Sequence, residues 1–190
     1  MNDQHRIVSS ESEELILVDS DDNEIGYASK AEAHDGGGIR HRAFSLFLFN
    51  DEGELLLQQR APSKRLWGGF WSNSCCSHPR RGESLAVATS RRLLDELNFE
   101  AELEYVYRFC YVAPFGDAGS ENELCHVFLG RAGSEIRPND SEITGVRYLT
   151  AAALTEEFER YPDRFTPWFK QEWQELNRNF AEQLARYCAL

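Results

Sequence analysis

The chain is poor in cations and has no long apolar run. Against 32 Asp and Glu stand only 20 Lys and Arg, a formal net charge of −12 over 190 residues. That balance argues against general binding to nucleic acid, whose phosphates call for a basic footprint. No apolar stretch approaches the length of a bilayer crossing, so membrane insertion is not expected. The polar stretch from Met1 to Glu14 also has no apolar segment of the kind a secretory signal uses. Cysteines number five, an odd count without the spacing of a disulfide framework. Reduced thiols in a cytoplasmic setting are therefore expected. No internal repeat or low-complexity segment divides the chain.

What is present is the composition of an ordinary soluble domain, 42% apolar and 27% charged, long enough for one substantial core. We expect one domain over residues 14–190 behind a disordered tail, residues 1–13. Residues 14–19 and 25–29 flank an Asp/Asn-rich connection and read as a hairpin. The glycines at 36–38 break any helix, which puts His34 and His41 at the two ends of a flexible loop. Residues 43–49 and 54–60 give a second, stronger hairpin pattern. A helix is predicted to run to Leu97 from an N-cap at Ser84, with Leu85, Ala88, Leu94 and Leu97 near one face. Residues 103–111 alternate as a strand, with Leu103, Tyr105, Tyr107, Phe109 and Tyr111 on one side. Strands at 121–130 and 143–149 and a helix at 151–160 follow. Thr166 and Pro167 open a last helix, residues 166–188, whose Phe169, Trp173, Leu176, Phe180, Leu184 and Tyr187 recur three and four apart. Trp168 lies off that stripe. Strands on both sides of one central helix, with helices at the end, predict an α+β fold with a mixed β-sheet.

The chemistry is concentrated in one stretch. Residues 71–83 read Trp-Ser-Asn-Ser-Cys-Cys-Ser-His-Pro-Arg-Arg-Gly-Glu, with His78 two residues past the second thiol, Cys76. From Arg60 to Arg92 there are seven basic residues and one acidic residue, Glu83, so the segment carries +6 in an acidic chain. Such an island points to a focused anion site. His34, His41 and His78 with Glu121 and Glu123, which alternation puts on one strand face, would make a set of three nitrogens and two oxygens. That set suits octahedral Mn, Mg or Zn. Its spread along the chain matches no compact metal motif, so spacing alone leaves metal binding open. His126 falls on the other strand face and His5 in the tail. Cys76 is also open: a packing thiol, a thiolate favoured by the surrounding Arg and Lys, or a nucleophile with His78 as base. Cys75 is read as packing.

Residues 83–99 resemble a Nudix box, the helix-based motif that holds metal and diphosphate. Its positions read Ser77, Glu83, Arg91, Arg92, Leu93, Leu94, Asp95, Glu96, Leu97, Asn98 and Phe99. Arg92 stands where the box has a metal-ligating Glu, and Ser77 and Asn98 where it has Gly, which weighs against phosphohydrolysis. Over roughly residues 15–173 the chain is similar to one branch of that superfamily, the type 1 isopentenyl-diphosphate isomerases. The resemblance rests on His34 and His41 seven apart, Phe44-Ser45, Arg60-Ala-Pro-Ser-Lys64, Trp67 and the run from Trp71 to Pro79. It continues through Gly82-Glu-Ser84, Arg91-Arg92 ahead of Glu96-Leu97, Tyr111, Glu121-Asn-Glu123 and Pro167-Trp168.

That resemblance implies a Nudix fold and an isomerase interconverting isopentenyl and dimethylallyl diphosphate through a tertiary carbocation. It implies Cys76 and Glu123 as the catalytic acid/base pair, with Tyr111 near the acid and Trp168 facing the cation. His34, His41, His78, Glu121 and Glu123 become the Mn2+ or Mg2+ shell, with Zn2+ also suited, and Glu96 the holder of a second Mg2+. Arg60, Lys64 and Arg92 become phosphate ligands. The implied partner is a small prenyl diphosphate, with monomer and dimer both open. A Nudix phosphohydrolase of a nucleoside or prenyl diphosphate, and a non-catalytic binder of such compounds, are the rival readings.

Overall fold

The computed structural model describes residues 6–188. β1 (Glu14–Val18) and β2 (Glu24–Ser29) form the first expected hairpin. Helix α1 (Lys30–His34) follows at once, closed at its start by a capping box: the Glu32 N–H donates to Ser29 Oγ while the Glu32 carboxylate accepts from the Ser29 N–H. The histidines are thus not the ends of a free loop. His34 closes α1 and His41 opens β3 (His41–Phe49). Only the glycine turn between them is irregular, with Gly36 and Gly38 at φ +56° and +70°.

β3 is the centre of the sheet and is apolar on both faces. Ala43, Phe47 and Phe49 face one core, shared with Phe169, Trp173 and Leu176 of α4 (Pro167–Asn179). Phe44, Leu46 and Leu48 face the other, shared with Ala88, Leu93 and Leu97 of α2 (Leu85–Leu97). One edge of β3 pairs in parallel with β8 (Ser120–Arg131), and β7 (Leu103–Pro114) is antiparallel to β8. The sheet is therefore mixed, as expected, with helices on both sides.

The other edge of β3 is forked. β4 (Leu55–Arg60) meets it only at Phe49–Leu55, then leaves to pair with β9 (Ile143–Leu149) and β5 (Trp71–Ser72). The expected second hairpin is thus a turn whose strands separate. Into the gap goes β6 (Cys75–Ser77), paired with residues 44–46 of β3. Side chains make the bonds that the separated strands do not. Ser74 Oγ accepts the Leu48 N–H at 2.8 Å and donates to the Leu56 carbonyl at 2.6 Å, and Asn73 Nδ2 donates to the Leu46 carbonyl at 3.2 Å.

Four other expectations are corrected. On α2 the buried residues are Ala88, Thr89, Arg92, Leu93, Glu96 and Leu97, while Leu94 is exposed. A bulge in β7 between Tyr105 and Tyr107 puts Tyr105 against His126 and Phe128, off the face that carries Tyr107. The last helix breaks at Phe180, whose φ of −131° ends α4 before a short α5 (Ala181–Leu184). The Phe180 ring stacks on Tyr107 at 4.8 Å instead. Residues 6–13 are not a loose tail: Arg6 pairs with Asp95, and the Val8 carbonyl accepts from Arg80 and Arg92. His5 lies outside the described residues. α3 (Ala151–Arg160) keeps its expected bounds, and among the described residues no helix is long and apolar enough to cross a membrane.

One glycine couples fold to site. Gly119 sits at φ +133°, and a Cβ there would overlap the His34 carbonyl oxygen and crowd Arg65. Gly119→Ala should cost about 2–4 kcal/mol, read in thermal or urea unfolding, because α1 must move away from β8.

Candidate active site

The end of α1, the start of β3, the turn after β6 and one face of β8 meet at three histidines and two glutamates. The ring centroids of His34, His41 and His78 are 4.7–5.2 Å apart. His34 Nδ1 donates to the Lys30 carbonyl at 2.7 Å and His41 Nδ1 to the Ile39 carbonyl at 2.8 Å, which turns both Nε2 atoms inward. The parallel register places Glu123 beside His41. Glu123 Oε1 lies 2.8 Å from His78 Nε2, and Glu121 Oε2 lies 2.9 Å from His34 Nε2. One ligand atom from each of the five residues falls within 4.8 Å of the others.

These residues fit a divalent cation. Burial pushes His41 down to about 4 and His78 well below its usual range, so both are held in the neutral, ligating form. His41 Nε2 is buried without a hydrogen-bond partner. Burial, with the neighbouring Glu121 next, raises Glu123, whereas at Glu121 burial is overcome by His34 together with His41 and Arg60, and the carboxyl is lowered. A cation would relieve this crowding of carboxylates. His126 faces the other side of the sheet, 3.1 Å from Asp22, as its strand parity predicts.

Cys76 lies on the opposite edge of β3 from Glu123, paired with Ser45. Its thiol donates to Asn73 Oδ1 at 2.7 Å and accepts from Trp168 Nε1 at 3.3 Å. Of the readings left open for Cys76, the thiolate is not the one this setting favours. Burial, then the Glu172 carboxylate, pushes Cys76 up to about 12, and its hydrogen-bond partners include none of the nearby Arg and Lys side chains. Cys75 points away, buried against Glu96 at 3.6 Å. Tyr111 donates to Glu123 Oε2 at 2.6 Å, and its ring lies 6.2 Å from Trp168. Cys76, Glu123, Tyr111 and Trp168 line one cavity of about 570 Å³.

The cationic island divides in two. Arg80, Arg81 and Arg91 are held in ion pairs with Glu13, Glu14 and Glu83. Arg60, Lys64, Arg65 and Arg92 line the cavity, joined by Lys30, which the sequence reading missed. Arg60 also stands 5.4 Å over the Trp168 ring. Arg92 is almost fully buried and bonds Glu96 and Glu142, so Glu96 is engaged by a guanidinium. Glu142 and Glu172 were missed too. Glu142 carries no sequence signal. Glu172 does, as a carboxylate one turn past Trp168 in an otherwise apolar row, and it is fully buried against Cys125 at 3.5 Å.

The fold and the site define a Nudix protein: the family model described as NUDIX domain matches residues 39–169. The crystal structure of DR0079 from Deinococcus radiodurans superposes with a TM-score of 0.67 at 23% identity, covering 92% of this chain and 99% of that one. A MutT protein from Methanosarcina mazei gives 0.60 at 15% identity, covering 73% and 94%. At those identities the likeness is one of fold. Sequence relatives narrow it. A protein of Serratia proteamaculans named isopentenyl-diphosphate Delta-isomerase is 44% identical over 177 residues, 93% of this chain and 98% of that protein. Isopentenyl-diphosphate Delta-isomerase 1 of Photorhabdus laumondii is 39% identical over 174 residues, 90% and 99%. The chain belongs to the isopentenyl-diphosphate Delta-isomerase family of Nudix proteins.

Two outcomes follow from this geometry. Chelation should lower thermal stability and open the 36–38 turn to protease, because the ligands tie α1, β6 and β8 together. Metal analysis should show His126→Ala retaining bound metal and His41→Ala losing it. Separately, burial lifts the Glu172 carboxyl from 4.5 to about 8. A raised carboxyl contributes stability that is complete below pH ~4.5 and is lost as pH rises towards 8. Glu172→Gln should remove that slope, so its stability relative to wild type should rise by a few kcal/mol, roughly, between pH 5 and 8, measured by urea unfolding.

Proposed function

We propose that this chain interconverts isopentenyl and dimethylallyl diphosphate, the reaction named in its relatives, by moving a proton across the alkene. The observation that carries this reading is that Cys76 and Glu123, on the strands flanking β3, line one cavity with the Trp168 ring. An isolated alkene has no carbonyl to delocalise a carbanion. The favourable course is proton addition at C4, giving a tertiary cation at C3, and proton loss from C2. One of Cys76 Sγ and the Glu123 carboxyl supplies the first proton and the other takes the second, with the roles exchanged when the reaction runs backwards. Asn73 Oδ1 and Trp168 Nε1 orient the thiol, and the Tyr111 hydroxyl orients the carboxyl.

Trp168 offers the cation an aromatic face, a contact of about 2 kcal/mol or more when desolvated. Trp168, Tyr111 and Glu123 are each buried, which limits the water that meets the cation at that end of the cavity. Lys30, Arg60, Lys64 and Arg92 bind and orient the diphosphate. His34, His41, His78, Glu121 and Glu123 would hold Mn2+ or Mg2+, with Zn2+ also suited, and Glu96 a second Mg2+ at the diphosphate. Such ions supply charge neutralisation and fix the Glu123 carboxyl. The hydrolase reading is weaker because Arg92 occupies the middle of the box, paired with Glu96 and Glu142. The reduced thiols of Cys75, Cys76, Cys110 and Cys125 fit work in a reducing cytoplasm.

In heavy water, proton NMR should show deuterium entering the product methyl and, through reversal, C2, with the diphosphate intact. Release of phosphate or pyrophosphate without deuterium in the prenyl carbons would refute the reading. Cys76→Ala should lower turnover by at least about a hundredfold while retaining substrate binding, and Cys75→Ala should cost only packing.

A further inference from the structure

The reading above gives Glu142 no task, yet it is the residue to which two phosphate-binding cations are tied. It sits at the end of the turn before β9, 4% exposed. Its carboxylate bonds both Lys64 Nζ and Arg92 Nη2, the latter at 3.1 Å. Those cations come from separate elements, Lys64 from the loop after β4 and Arg92 from α2.

The main chain of the same turn holds both elements. The Ala61 N–H donates to the Glu142 carbonyl at 2.8 Å, and the Lys64 N–H to the Ala61 carbonyl at 3.0 Å, which hangs the Lys64 loop on the turn. At its other end the Asn139 N–H donates to the Glu96 carbonyl at 2.8 Å, and Asn139 Nδ2 to the Asp95 carbonyl at 3.2 Å. The turn is thereby fixed to the end of α2. Asn139 Nδ2 and Ser141 Oγ also donate to the Arg6 carbonyl, at 2.8 and 3.1 Å, fastening the segment that borders the cavity.

We infer that the 139–142 turn is the brace of the diphosphate subsite, with Glu142 as the positioning residue that aims Lys64 and Arg92 at one anion. This rests on the functional reading above. A lone carboxylate beside an anion site weakens anion binding by repulsion. Carboxylates stand beside these cations because Lys and Arg side chains are long and lose orientational freedom only when bonded. The two roles differ in sign. If Glu142 only neutralises charge, its removal tightens anion binding; if it positions, its removal loosens it.

The test is calorimetric binding of inorganic pyrophosphate, in Mg2+ at fixed ionic strength, to wild type, Glu142→Gln and Glu142→Asp, each first shown folded by circular dichroism. We expect Glu142→Gln to raise the Kd about tenfold, the scale of one charged hydrogen bond. The KM for isopentenyl diphosphate should follow it, while kcat changes less than about threefold. Glu142→Asp keeps the charge but withdraws the carboxylate by one methylene, so it should weaken binding about three- to tenfold. It carries the test alone if the Gln variant does not fold. Unchanged or tighter pyrophosphate binding in the folded variants overturns the brace alone. Pyrophosphate that does not bind the wild type overturns both the brace and the functional reading.

Discussion

The site depends on the separation of β3 from β4. Two strands joined by a tight turn would ordinarily stay paired along their length, leaving no room between them. Here the run from Ser72 to Cys76 enters the gap, and its side chains make the hydrogen bonds the ladder gives up. Ser74 bridges Leu48 and Leu56, and Asn73 reaches the Leu46 carbonyl. Each buried main-chain group left unpaired would cost about 1–3 kcal/mol, so short polar side chains are what make the fork affordable. Its consequence is chemical. β6 is brought against one edge of β3 while β8 holds the other, so a thiol and a carboxyl border one cavity from different strands.

The second constraint is charge. An acidic chain has gathered cations round one cavity and given each an internal partner or a rim position. Arg92 is the most buried of them, and losing one partner of such a pair costs about 3–5 kcal/mol. Its place in the box explains how one fold serves two chemistries. Where a hydrolase gathers carboxylates around metal ions, this chain places a guanidinium between Glu96 and Glu142. On the function proposed above, the box would bind diphosphate and leave its P–O bonds intact.

Burial also sets the proton chemistry. Cys76 and Glu123 are both moved towards their protonated forms by removal from water. A raised proton affinity makes each group a weaker acid and, once ionised, a stronger base, which suits the proton-accepting half of a carbocation route. The same low-dielectric environment makes the Trp168 face worth more to a cation than it would be in solvent.

Much of this was legible in the sequence, because local rules govern it. The Ser84 cap, the 143–149 strand, the 151–160 helix, the shared face of Glu121 and Glu123 and the opposite face of His126 follow from period and capping alone. The resemblance supplied the candidate site residues and the isomerase reading, and the structure brings Cys76, Glu123, the histidines and the cations round one cavity. Tertiary structure decided what depends on neighbours distant in the chain. The bulge that turns Tyr105 away, the break at Phe180 and the anchoring of residues 6–13 each answer to a partner many residues off. So does the state of Cys76. Nearby cations in the sequence suggested a thiolate, but a thiol's proton affinity is set by the water it loses and by the carboxylate across the core, and neither is written in its own segment.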